Sequence, residues 1–375
     1  MTRRECSVLI IGGGPAGLST ALHLAQMAPE LRSRIAILEK AHYPRPKLCG
    51  GGLTPDAERI LERLNLNVSE VPHVDVEEVR FRFEDATFTF RIDGRHALRI
   101  VWRQEFDAWL AGKAQERGIA LYEGKEAKSF SLDTYGVTVV TAEEEWHAQI
   151  VIGADGANSR VRRVFFPKRT IATARTLETF IPCHRQDHGE ERAEFDLSGL
   201  PQGIAGYIWN FPTQVNGRAM HSWGIYDTNL LAKRKRAPLG EVLAQAVKGD
   251  FQLQSHPIRY FAPWQPLSRE RLLLVGDAAG VDGLLGEGIG IALGYGAIAA
   301  RAILDALRRG DFSFRRYQRQ VLFAPLGRAL LLRWGLAQIV YRLPQHTVQH
   351  TLWKHFQPLI YWIARHAVLN WGGKG

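Results

Sequence analysis

Apolar residues along this chain follow two different rhythms. Val8 to Ile11, Arg34 to Leu38 after its first residue, Ile150 to Ile152 and Leu272 to Val275 are short, unbroken apolar runs. Runs of this length without alternation predict strands buried on both faces of a parallel sheet. From Val74 to Ile100 the rhythm changes to period two, through Val76, Val79, Phe81, Phe83, Phe88, Phe90 and Ile92, with Asp93-Gly94 as a turn. That pattern predicts antiparallel sheet. Helical spacing runs over Leu18 to Met27 and Pro55 to Leu64, from Arg103 through Phe106, Trp109 and Leu110, and onward from Gly288. The whole predicts an α/β frame carrying an inserted antiparallel sheet.

The turn after the first apolar run carries chemistry. Gly12, Gly14 and Gly17 stand at G-x-G-x-x-G spacing between strand and helix, around Pro15 and Ala16. The first glycine permits the tight turn, the second lets backbone approach a pyrophosphate, and the third lets helix pack on strand. The helix N-terminus offers free N–H groups and a positive dipole end to phosphates. Glu39 closes the second strand, where a carboxylate can hold both hydroxyls of an adenosine ribose. A bare tight turn is the plainer alternative, but strand, helix and acid together favour a bound dinucleotide.

Tyr43-Pro44-Arg45-Pro46-Lys47-Leu48-Cys49-Gly50-Gly51-Gly52 follows. Prolines this dense exclude a helix or central strand, and the glycines permit close approach to a flat ligand. Cys49 is the thiol within reach of such a ligand and is the catalytic candidate, as proton source itself or through adjacent water; an inert thiol is the alternative. Cys6 reads as a packed core residue, and Cys183 gives no sign either way. Three cysteines make neither a disulfide framework nor a metal-ligand spacing, so a reducing, cytoplasmic setting is expected. Arg3-Arg4 before an apolar run imitates a signal peptide, but Glu5 interrupts it, and secretion is not expected. No uninterrupted stretch of about 18 apolar residues occurs, so no membrane span is expected.

Two further strand ends complete the pattern. Ile152-Gly153-Ala154-Asp155-Gly156 resembles the second fingerprint of FAD proteins built like p-hydroxybenzoate hydroxylase, and Leu274-Val275-Gly276-Asp277-Ala278 resembles the third. The resemblance implies FAD, with Asp277 on the ribityl chain, where a carboxylate accepts hydrogen bonds from sugar hydroxyls. The chain more closely resembles the geranylgeranyl reductase family of flavoproteins. That likeness rests on the Pro46-to-Gly52 loop, on Tyr207-Ile208-Trp209-Asn210-Phe211-Pro212 and on Gly286-Glu287-Gly288-Ile289. It implies cofactor contacts from Gly12, Gly14, Pro15, Ala16, Gly17, Glu39, Lys40, Cys49, Gly50, Gly51, Arg103, Ala154, Asp155, Gly156, Gly276, Asp277, Gly286, Gly288 and Ile289. On a strand Tyr207, Trp209 and Phe211 share one face, an apolar wall suited to an isoprenoid. The chain departs from the family at Gly224-Ile225-Tyr226, where a glycine pair is expected, and at Val281 to Leu285, which lacks the usual proline.

The expected organisation is a Rossmann-like FAD-binding domain (1–73, 101–169 and 266–311), an inserted β-sheet substrate domain (74–100 and 170–265) and a C-terminal helical segment (312–375). The expected activity is reduction of isoprenoid carbon–carbon double bonds, with NADPH or ferredoxin as electron donor. A flavin monooxygenase or halogenase is the rival reading; halogenases carry Trp-x-Trp-x-Ile-Pro where this chain has Tyr207-x-Trp209-x-Phe211-Pro212. A non-catalytic isoprenoid carrier is the third.

Charge is concentrated at one end. The net charge is +10, yet from Phe312 onward there are nine basic residues and no acids. Leu326, Leu330, Trp334, Gln338 and Tyr341 form a helical stripe with Arg328, Arg333 and Arg342 off it. The segment reads either as a basic surface docking peripherally on anionic lipid or as a cap over the substrate cavity with its basic face in water. His346, His350, His355 and His366 form no coherent ligand set, so no metal is expected. No recognition fold for nucleic acid is present.

Overall fold

In the computed structural model, which describes residues 2–166, 173–183, 192–231, 237–247, 251–365 and 371–372, the first apolar run is the buried half of β1 (Thr2–Ile11). α1 (Pro15–Met27) and β2 (Ile35–Leu38) complete the opening crossover. The chain continues through β3 (Gly52–Leu53), α2 (Pro55–Arg63), β4 (His73–Val76), β5 (Glu78–Phe83), β6 (Ala86–Arg91), β7 (Leu98–Val101) and α3 (Arg103–Glu116). β8 (Ala120–Tyr122), β9 (Ser129–Leu132), β10 (Val137–Val140), β11 (Glu144–Gly153) and α4 (Arg160–Phe165) follow. Next come β12 (Thr173–Pro182), β13 (Arg192–Asp196), β14 (Gly206–Val215), β15 (Arg218–Asp227), α5 (Leu239–Ala246) and β16 (Gln254–Arg259). The described elements end with β17 (Ser268–Arg269), β18 (Leu272–Leu274), α6 (Ile289–Arg309), α7 (Tyr317–Phe323), α8 (Pro325–Val340), α9 (His346–His355) and α10 (Gln357–Ile363).

Three sheets result. The first runs β17-β18-β11-β1-β2-β8, with β10 and β9 paired on beside β11. From β18 to β8 every neighbour is parallel, so β2, β1, β11 and β18 all end on the same edge. That edge is where open α/β sheets bind ligands, and it collects Glu39, Gly12, Asp155 and Asp277. The second sheet, β16-β12-β15-β14-β13-β5-β6, is antiparallel except for β13 on β5. Its period-two residues Val79, Phe81, Phe83, Phe88 and Phe90 all turn to the buried side. A small third sheet, β3-β7-β4, packs against β14 of the second.

α6 is long and apolar enough, by length and composition, to cross a bilayer, but 67% of its most apolar window is buried inside the fold. Its small residues explain why. A Cβ on Gly296 would stand 2.2 Å from Ser19 Oγ, and Ser19 Oγ donates to the Leu293 carbonyl at 2.7 Å, so α6 lies against α1 at backbone distance. It is a core helix.

The C-terminal stripe is partly as the spacing predicts. Leu326, Leu330 and Tyr341 are buried, and α8 stops at Val340 ahead of Pro344. Arg333 corrects the expectation of a solvated basic face. Its side chain is wholly buried, because two carboxylates from the strand-to-α6 connection meet it there: Asp282 Oδ2 at 3.2 Å and Glu287 Oε2 at 2.5 Å. His366 and Lys374 lie outside the described residues.

Candidate active site

Each strand tip is built for close approach. Gly12 has φ +108°, and a Cβ there would stand 2.4 Å from the Ala154 carbonyl oxygen, so β1 and β11 touch backbone to backbone at their ends. α1 begins with neither a side-chain cap nor an acid in its first turn. Its leading N–H groups therefore lack intrahelical partners. Glu39 is buried and accepts from the Gly13 N–H at 2.9 Å and the Ala41 N–H at 3.0 Å. Asp155 Oδ2 accepts from the Arg160 and Val161 N–H groups at 2.6 and 3.1 Å, while Oδ1 is buried with no partner. Burial holds this carboxyl above its ordinary range.

The Pro-Gly-rich loop folds over this turn. Tyr43 Oη donates to the Gly13 carbonyl. Arg45 Nη2 lies 3.1 Å from Asp107 Oδ2, and Arg103 grips both oxygens of the same buried carboxylate at 2.8 and 2.9 Å. Arg103 also reaches the Cys49 side chain. Lys47 Nζ donates to His256 Nε2, and burial with the nearby Lys47 depresses His256 to about 3, keeping it a neutral acceptor. Cys49 is half-buried, as are Cys6 and Cys183; burial pushes the Cys6 thiol up to about 12.

Tyr207, Trp209 and Phe211 form one buried wall, with Phe195 5.0 Å from the Tyr207 ring centre and 5.1 Å from that of Phe211. Tyr207 Oη donates to the Leu285 carbonyl, Trp209 Nε1 to Ser222 Oγ at 3.1 Å, and Ser222 Oγ to Glu178 Oε1 at 2.9 Å. Gly224 has room for no side chain: a Cβ there would fall 2.0 Å from the Trp209 ring. A Cβ on Gly50 would meet the Phe211 ring at 3.0 Å, so the Cys49 loop lies directly on the aromatic wall.

These parts border one cavity of about 870 Å³. Of the site residues expected from sequence, Gly12, Gly14, Pro15, Ala16, Glu39, Lys40, Cys49, Gly50, Gly51, Arg103, Ala154, Asp155, Gly156, Asp277, Gly286, Gly288, Ile289, Tyr207, Trp209 and Phe211 line it. Gly17 and Gly276 stand behind the lining instead. Gly17 packs on the Gly12 carbonyl, and a Cβ on Gly276 would meet that of Ala16 at 2.6 Å. Three residues escaped the sequence reading. Glu178 and Ser222 sit on ordinary period-two strands, which give no chemical signal. Arg333 did leave one, as a lone charge within Leu330-Leu331-Leu332 and Trp334.

An uncapped helix start, an acid at the second strand tip and an orphaned buried carboxylate oxygen at the third are the donors and acceptors that a flavin adenine dinucleotide requires. α1 would take the diphosphate, Glu39 the adenosine ribose, and Asp277 the ribityl chain. The comparisons agree. Residues 5–177 match the family model for a FAD binding domain. The chain is 28% identical over 347 residues to digeranylgeranylglycerophospholipid reductase 1 of Methanopyrus kandleri, covering 84% of this chain and 85% of that one. The crystal structure of a geranylgeranyl bacteriochlorophyll reductase-like protein from Thermoplasma acidophilum has the same fold, with a TM-score of 0.77, 22% identity and coverage of 98% and 97%. The halogenase PltM shares the fold as well, with a TM-score of 0.71, 17% identity and coverage of 96% and 84%.

Fold, strand-tip chemistry and these likenesses define a FAD-dependent oxidoreductase. The chain is similar to digeranylgeranylglycerophospholipid and geranylgeranyl reductases along most of its length.

Proposed function

We propose that this protein reduces carbon–carbon double bonds of an isoprenoid chain held against the flavin. The observation that carries this reading is the continuity of one cavity from the dinucleotide-binding strand tips to the wall of Tyr207, Trp209 and Phe211. Bound, reduced FAD supplies the hydride equivalent for such a reduction. The wall supplies apolar contact and excludes water. An unactivated alkene develops no oxyanion to stabilise, so orientation in a dry chamber carries much of the rate. Glu287, held by Thr54 Oγ1 at 2.8 Å and by Arg333, fixes the turn ahead of α6. The start of that helix faces the cavity, where its dipole favours negative charge by about 1 kcal/mol. NADPH or ferredoxin is the electron donor we would try first.

Cys49 lines the cavity beside Gly50, which lies against the Phe211 ring, and we assign it to proton delivery. With reduced FAD and a geranylgeranyl lipid, mass spectrometry should show product gaining two hydrogens per reduced bond. Cys49→Ala should keep its flavin and slow turnover by about tenfold to a hundredfold. Oxygenated or halogenated product would favour the rival chemistry, and unchanged Cys49→Ala turnover would remove the thiol from the mechanism.

The substrate side also bears on where the protein works. Eight of the thirteen exposed large apolar residues described lie between Phe323 and Trp362, among the exposed Arg328, Arg342, Lys354 and Arg365. The inner faces of the same helices contribute Leu336, Val340, Leu352 and Ile360 to the cavity. This supports both readings of the segment at once: a cap on its inner face and an anionic-bilayer contact on its outer one. Vesicles containing phosphatidylglycerol should bind the protein more tightly than phosphatidylcholine alone. The double change Phe356→Ser with Trp362→Ser should weaken that binding about tenfold, and equal binding to both vesicles would rule the contact out.

A further inference from the structure

Glu178 has no place in the reading above, although β12 carries it into the chamber wall between β15 and β16. Its residue is 2% exposed. Ser222 Oγ donates to Oε1 at 2.9 Å, Trp209 Nε1 donates to that same hydroxyl, and the Cys49 main-chain N–H donates to the carboxyl. The carboxyl is thereby fixed between the aromatic wall and the Cys49 loop.

The cations around it are engaged elsewhere. The loop gives Lys47, which is turned to His256 of β16, itself neutral. α3 gives Arg103, whose fork is on Asp107. β15 gives only Ser222 and Gly224 opposite it. Among the described residues no ion pair reaches Glu178. A carboxyl this dry without a cation on it holds its proton to higher pH than an exposed one does.

We propose that Glu178 is the proton store of the chamber, and that the proton saturating the second carbon of the double bond originates on its carboxyl. This rests on the isoprenoid-reductase reading. The two carbons gain a hydride equivalent, two electrons with one hydrogen, from the reduced flavin cofactor, which is left oxidised. They gain one proton from Glu178. Two C–H bonds form, the O–H bond of Glu178 breaks, and the carboxylate regains its proton from water. Cys49, on the same wall, is recharged from this store when it acts as the last carrier.

Burial lifts Glu178 to about 7, outweighing the Ser222 and Cys49 hydrogen bonds and the more distant Lys47 and Arg103. Turnover should therefore fall as pH rises past about 7, when the acid form is lost. Folding stability should fall with pH from the ordinary carboxylate range up to about 7 and level off above it, because the folded state binds the extra proton.

Glu178→Gln keeps an acceptor for Ser222. It should bind FAD normally, turn over about a hundredfold more slowly, and lose the pH limb near 7 that Cys49→Ala retains. In the flavin-free protein, infrared titration should show a carboxylic C=O band that disappears near pH 7 and is missing from Glu178→Gln. Ser222→Ala, which removes a bond favouring the carboxylate, should move the limb to higher pH and serves if the first variant does not fold. Wild-type enzyme that saturates an isoprenoid while Glu178→Gln does so within twofold, with an unchanged pH profile, overturns this proposal alone. So does a limb that Ser222→Ala leaves in place. Wild-type enzyme that saturates no isoprenoid sinks the parent reading and this one with it.

Discussion

Replacing Arg333 by methionine should cost about 3–5 kcal/mol of folding stability. The methionine fills much of the same volume, so the loss is electrostatic rather than a cavity effect. Arg333 is fully buried and its guanidinium is the cation between Asp282 and Glu287. Removing it leaves two carboxylates in a dry setting. Asp282 keeps the Leu284 and Leu285 N–H groups at 2.7 and 3.1 Å, and Glu287 keeps Thr54 Oγ1, but neither contact neutralises a charge. Burial already holds Glu287 above its ordinary range with Arg333 present. Without the cation Glu287 should bind its proton still more tightly when folded than unfolded. Stability of that kind is present at low pH and lost as pH rises, so the deficit should be smaller at pH 5 than at pH 8. Denaturant unfolding at the two pH values measures it. A loss under 1 kcal/mol at pH 8 would mean that the three groups are solvated or independently satisfied.

Gly12→Ala should give a colourless, less stable protein. The backbone there lies at φ +108°, where an L side chain costs about 1–2 kcal/mol. The new methyl would also stand 2.4 Å from the Ala154 oxygen and 2.7 Å from its carbonyl carbon. Those atoms belong to the neighbouring strand end and cannot rotate away as a side chain would. Relief requires the ends of β1 and β11 to part, which opens the seat of the diphosphate. We expect a loss of about 2–4 kcal/mol and FAD affinity lowered at least about a hundredfold, near 3 kcal/mol of binding. Gly94→Ala is the control, because Gly94 has φ +76° with nothing within 4 Å of a Cβ. It should cost about 1 kcal/mol and leave flavin content unchanged. Gel filtration followed by flavin absorbance compares the two. A Gly12→Ala protein that stays fully yellow would show that the flavin does not sit on this turn.

What could be read in advance was what local chemistry dictates. Unbroken runs at Val8 to Ile11 and Leu272 to Leu274 have one outcome, a doubly covered parallel strand, and Phe81, Phe83, Phe88 and Phe90 one face. The glycine turn and the Tyr207-to-Phe211 strand were legible because each places a fixed shape at a fixed spacing. Pairings between distant segments were not. Nothing local to Glu178 announces that Ser222, 44 positions later, will donate to it. Arg333 was read as one more basic residue on a basic tail, because its partners arrive from a loop about fifty residues earlier. The helix's own apolar stripe turns Leu326 and Leu330 inward, and the carboxylates of that loop let Arg333 join them.

Gly224 sets a limit on how this chamber can change. The indole of Trp209 occupies the space in which any other residue at 224 would carry its first carbon. Adaptation to bulkier or shorter prenyl groups is thus channelled away from this strand. It falls to Phe88, Leu284 and Val340, whose side chains border the same space from other elements. Relatives with different chain-length tastes should differ at those three positions while keeping a bare backbone hydrogen beneath the indole.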